Sequence, residues 1–161
     1  MTLTELMLGL SLLGLMGSVG LAQGSQVLLD QRLESATRLL DQGLQRARRE
    51  AQRRGAPCGL RLSASGWTTP LPGTLPSCFA APELLPEGVA VAHNFPELVR
   101  FTANGLVLDG GTAVLSSAGT PLQRCLVMAL PLGITRLGRY SGTPEKAKSI
   151  PAQLVSGMRR R

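Results

Sequence analysis

Aromatic residues are scarce in this chain, at 3% of 161 residues against 43% hydrophobic overall. The core must then be small and built from Leu, Val and Ala, which disfavours a large enzyme with a deep aromatic pocket. Histidine occurs once, at His93, and cysteine three times, at Cys58, Cys78 and Cys125. That is too little for the common zinc spacings or for histidine-based catalysis. His93 stands beside Ala92, Asn94 and Phe95 with Glu97 as its nearest acid, and reads as a loop histidine. Ser116-Ser117 and Ser65-Gly66-Trp67 have no base partner and no Gly-x-Ser-x-Gly elbow. Asp109-Gly110-Gly111 is a hairpin-turn signal and, with no Lys and no helix after it, is not a phosphate loop. No enzyme site, metal set or cofactor motif is found, and a non-catalytic protein is expected.

Acids are also few, 10 against 17 Lys and Arg, a formal net charge of +7. Residues 1–22 hold Glu5 and no base, residues 23–54 hold seven Arg against four acids, and residues 133–161 hold seven bases against Glu145. A basic excess gathered in a tail offers a surface for anions, or simply a solvated end.

Charge is missing altogether from Leu6 to Leu29. As a helix these 24 residues would be about 36 Å long at 1.5 Å per residue, enough to cross a bilayer core of about 30 Å. A secretory signal peptide would open with positive charge, whereas this chain opens Met-Thr-Leu-Thr-Glu. An acid at membrane depth is expensive alone, so Glu5 requires a cation.

After Gln23-Gly24-Ser25 the pattern becomes amphipathic. Leu29, Leu33, Ala36, Leu40, Leu44, Ala47 and Ala51 recur at steps of three and four, with Asp30, Glu34, Arg38 and Asp41 between them. Arg53-Arg54-Gly55-Ala56-Pro57 is a stop signal, so one helix of some 50 residues ends near Arg54. Short strands are expected at Cys58–Ala64, Gly88–Ala92, Leu98–Thr102, Leu106–Leu108, Thr112–Leu115 and Arg124–Leu130. Thr68–Pro86, with five of the 11 prolines, reads as a structured loop. The fold class is α+β: a long N-terminal helix packed on a small antiparallel β-rich head. The expected divisions are 1–24 for a transmembrane or filament-core helix, 25–55 for its amphipathic continuation, 56–140 for the head and 141–161 for a basic tail.

A bond between Cys58 and Cys78 would pin the Pro-rich loop to the first strand and contribute about 3 kcal/mol through loop entropy. Cys125, in an apolar run, reads as a buried thiol. Pairing of Cys78 with Cys125 remains open at this point.

Met1-Thr2-Leu3-Thr4-Glu5-Leu6-Met7, followed by the apolar run, resembles the mature N-terminus of a type IV pilin or type II secretion pseudopilin. The resemblance implies leader removal by a prepilin peptidase, N-methylation of Met1, and pairing of Glu5 with a neighbouring subunit's N-terminal amine. It thereby supplies the cation that Glu5 needs, since a paired amine and carboxylate leave water at lower cost than either alone. A leader ending in Gly is not part of the sequence, so Met1 is expected to be the mature first residue or a truncated start. The Pro that many major pilins carry near position 22 is replaced by Ala22. Gly9, Gly14, Gly17 and Gly20 supply weak points instead, or close packing of helices.

The head resembles minor pseudopilins and pilins of the GspH/FimT type. The residues that carry this are Cys58-Gly59-Leu60-Arg61-Leu62, Val99-Arg100-Phe101-Thr102-Ala103-Asn104-Gly105, and the final hairpin from Arg124-Cys125-Leu126-Val127-Met128 through Gly133 to Arg139. The resemblance implies a pilus or secretion-filament subunit. Other pilins or pseudopilins would contact it through the N-terminal helix, and an inner-membrane platform would assemble it. It would cross the inner membrane once, with its head outside the cytoplasm, before entering a filament. Some FimT-like members capture DNA through a C-terminal Gly-Arg-x-Arg element. Gly138-Arg139-Tyr140-Ser141 matches its first half and lacks the second Arg. Arg136, Arg139, Lys146 and Lys148 are the phosphate-contact candidates, with Tyr140 to stack on a base.

Overall fold

A computed structural model describes the backbone of residues 3–130 and 132–143, without the side chains of residues 3, 6, 8, 10 and 12–23. Helix α1 runs from Leu3 to Arg54, 52 residues, or about 78 Å at 1.5 Å per residue. It stops where the stop signal lies. Gly55 takes a left-handed φ of 61° and its N–H bonds to the Gln52 carbonyl at 3.2 Å, with Pro57 two residues on. Leu33, Ala36, Leu40, Leu44, Ala47 and Ala51 form the buried stripe of the helix. Thr37 is buried with them because its hydroxyl donates to the Leu33 carbonyl at 2.7 Å.

Eight strands follow: β1 Cys58–Ser63, β2 Gly66–Thr68, β3 Glu83–Leu84, β4 Val89–His93, β5 Val99–Phe101, β6 Gly111–Ser117, β7 Gln123–Ala129 and β8 Ile134–Arg139. They make two four-stranded antiparallel sheets, ordered β3-β2-β1-β5 and β4-β6-β7-β8. Both sheets pack on α1, and one core cluster joins the helical stripe to Leu60, Leu62, Trp67, Phe95, Phe101, Leu115, Leu126 and Met128. The molecule is α+β, with its long helix packed against a β-rich head.

The register of the second sheet decides what each face carries. Arg124 lies opposite Arg139, Leu126 opposite Leu137, and Met128 opposite Thr135. Strand alternation therefore puts Arg124, Leu126 and Met128 on the helix side, and Cys125 and Val127 on the other.

Several local expectations are corrected. Glu83–Leu84, inside the segment read as loop, pairs with β2 as a third strand. Leu106–Leu108 is not a strand; Val107 makes a single bridge to Phe101, and the segment covers the edge of β5. Gly110-Gly111 is not a hairpin turn. Gly111 opens β6, and a Cβ there would lie 2.6 Å from the Phe95 ring, so its place is a close approach to that ring.

Candidate functional site

For a molecule of this shape the functional surface is the helix, the seam that holds the head on it, and whatever the head leaves exposed. The seam is built from polar residues on one flank of α1. Asp30 accepts from the Thr120 hydroxyl at 2.6 Å, Glu34 pairs with Arg124, the Gln45 amide donates to the Thr135 hydroxyl at 3.3 Å, and the Gln52 amide donates to the Asn104 carbonyl at 3.1 Å. Steps of 4, 11 and 7 residues approximate whole helical turns, so all four point the same way. Asp30 and Gln52 thus tie the two ends of the head to the helix. Arg46 pairs with Glu83 across the opposite flank.

Glu34 settles a second problem. Arg124 and Arg139 are directly opposite in the sheet, where like charges destabilise. The Glu34 carboxylate binds Arg124 and also Arg38, the latter at 3.4 Å. In the sequence these acids read only as the wet side of an amphipathic helix, because their partners lie about 90 residues away.

On the first sheet, the Trp67 indole N–H donates to the Leu40 carbonyl at 2.9 Å and the ring lies over Gly43. Cys58 and Cys78 are joined by a disulfide, Cα to Cα 5.1 Å. Backbone bonds from Gly59 to Pro76 and from Cys78 to Gly59 run beside it, and Arg54 donates to the Ser77 carbonyl at 2.9 Å. The Pro-rich loop is therefore fastened to both β1 and the helix end. Cys125 is the free thiol, buried on the other sheet, and burial pushes its pKa up to about 11. It is protonated and inert at neutral pH. At the helix end, hydrogen bonds from Arg53 and then Arg54 hold the Glu50 carboxyl down at about 2.

Glu5 lies on the helix with its side chain exposed. Met1, Lys146 and Lys148 lie outside the described residues, as do most side chains of the 1–24 segment; among the described residues no helix is long and apolar enough to cross a membrane. Arg136 and Arg139 are both exposed on β8, but three residues apart they leave the strand on opposite faces. Arg139 stands beside Arg124, while Arg136 shares its face with Tyr140. The Tyr140 ring is half-buried against the Val114 and Cys125 pair. Among the described residues no three His, Cys, Asp or Glu gather as a metal site.

One long helix carrying two antiparallel sheets defines a pilin-like subunit. The family model for type II transport protein GspH matches residues 36–131, which span about the last third of the helix and strands β1 to β7. The chain belongs to that GspH family. No curated protein and no solved structure matches it.

Proposed function

We propose that this chain is a minor pseudopilin of a type II secretion filament, anchored in the inner membrane by residues 1–24 before assembly. Leader cleavage by a prepilin peptidase leaves a methylated Met1. Glu5 then meets a neighbour's N-terminal amine as the assembly platform draws the subunit from the membrane. The head stands outside the cytoplasm, where its Cys58–Cys78 bond is at home. The role is structural and non-catalytic. The observation that carries the reading is the family match over 36–131, joined to a head that is tied at both ends to the helix whose first half bears Glu5.

The DNA-uptake alternative draws on the exposed Arg136 and Arg139. Their opposite directions and the packed Tyr140 ring give no continuous groove among the described residues, so the structural role is the one adopted. Its test is purification of the secretion filaments from cells making the full chain. Co-purification of the chain, with a methylated Met1 by mass spectrometry, is the expected result. Absence from filaments that are otherwise present overturns the reading.

A further inference from the structure

The face of the second sheet turned away from α1 should be the wet one, since an antiparallel sheet with one face on a core commonly gives the other to water. The register places Thr112, Val114, Cys125, Val127 and Gly138 on that outer face. Yet Val114 and Cys125 are 0% exposed, Thr112 2% and Val127 8%. Val114 and Cys125 form a cluster of their own, apart from the core that joins the helix, with the Tyr140 ring packed on them. One ring does not account for the whole face. The Tyr140 backbone N–H donates to the Gln123 carbonyl, so Tyr140 stands on the Gln123 side of Cys125, and Val127 and Thr112 lie on the far side. Gly138, opposite Cys125, offers no side chain.

Two polar groups bracket this apolar floor on the same face. The Thr112 hydroxyl and the Gln123 side-chain oxygen are buried and have no hydrogen-bond partner among the described residues. Buried polar groups are normally paired, so each points to a donor or acceptor laid across the face. The chain itself turns that way. After β8 a Cβ on Gly142 would lie 2.6 Å from the Tyr140 hydroxyl, which faces the Thr143 carbonyl at 3.5 Å, so residues 142 and 143 fold back against the Tyr140 ring. Residues 144–161 lie outside the described residues. Their sequence from Ser149 to Met158 has no charge and holds Ile150, Leu154 and Val155. The seven residues from Thr143 to Ile150 reach about 23 Å at about 3.3 Å each, whereas the sheet measures about 14 Å from β8 to β4 at about 4.8 Å per strand.

We infer that residues 150–155 of the same chain cover this outer face, with Ile150, Leu154 and Val155 on Val114, Cys125 and Val127, and with backbone groups paired to Thr112 and Gln123. The inference is independent of the filament role and makes the chain's end part of the head rather than a free basic tail. Cys125 reports on the cover, because Cys58 and Cys78 are bonded and it is the one free thiol. The test follows its reaction with a disulfide reagent in the purified full chain in detergent, with the near-ultraviolet dichroism of Trp67, the single Trp, as the sign of a folded head. A chain ending at Thr143, and the full chain with Leu154→Asp and Val155→Asp, should each react at least tenfold faster than wild type while the Trp67 signal is kept. A second measurement holds even where those variants lose the signal. On a Cys125→Ala background, Arg136→Cys paired in turn with Ile150→Cys, Leu154→Cys and Val155→Cys should close an intrachain disulfide at least tenfold above Leu71→Cys with the same partners, Leu71 being exposed on the Pro-rich loop. Cys125 that reacts as slowly in folded variants as in wild type, or that already reacts quickly in wild type, would overturn the inference. So would cross-links no stronger than the Leu71 control, or cross-links between chains instead of within one.

Discussion

Gly43 is where the Trp67 indole crosses the helix, and a Cβ there would lie 2.5 Å from the ring. Helix propensity favours Ala over Gly by about 1 kcal/mol. Overpacking a filled core costs about 1–3 kcal/mol, and Trp67 is buried with its N–H committed to Leu40. The clash should win, and Gly43→Ala is expected to lower the unfolding free energy of the full chain by about 1–2 kcal/mol in chemical denaturation. A stabilised variant would contradict this packing. The glycine could not be read from sequence, since its reason is a residue 24 positions later. The apolar stripe could be read, because Leu33, Leu40, Leu44 and Ala47 repeat at helical spacing and are the residues found buried. Asp30, Glu34, Gln45 and Gln52 were legible only as polar. A periodicity argument sees which side of a helix is wet, and not which polar groups have partners.

Among the elements, the exposed margin of β5 is covered by the segment that follows it. Arg100 forks onto Asp109 with two 2.8 Å bonds, and its backbone N–H adds a third to the same carboxylate. Those bonds from Arg100, the largest cause, hold the Asp109 carboxyl below its ordinary range. A carboxyl depressed in the folded state contributes stability that is complete above its unfolded pKa of about 3.9 and is lost as pH falls through the folded value. The melting-temperature gap between wild type and Asp109→Asn should therefore be steady from pH 7 to about 5 and close below about pH 4. A gap that persists in acid would show that the clip is not the cause. The disulfide acts on the neighbouring loop: it spans 20 residues, and Cys78→Ser should cost about 3 kcal/mol by denaturant unfolding. Equal stability of the oxidised and reduced wild type would refute that. Of the longer strands, β1, β4, β6 and β7 were visible within two residues of their ends, while β8 was placed only as the second arm of the final hairpin that the family resemblance implies. β2 and β3 were not, because three and two residues are too few for alternation to show, and their pairing is decided by the β1 edge they join.

At the scale of the whole molecule, one helix has two parts in sequence: a first half whose one charge is Glu5, then a half whose buried stripe and polar flank hold the head. The second part is written in the contacts of Leu33 to Gln52. The first is written in composition, in 24 residues without charge after a lone acid. The measurement that bears most directly on this account is quantification of the full chain in membranes and in sheared filaments, for wild type and Glu5→Ala. The account predicts equal amounts in the membrane and a loss of at least tenfold from the filament fraction for Glu5→Ala, because a subunit without its carboxylate has no partner for the neighbouring amine. Incorporation of Glu5→Ala at the wild-type level would contradict it.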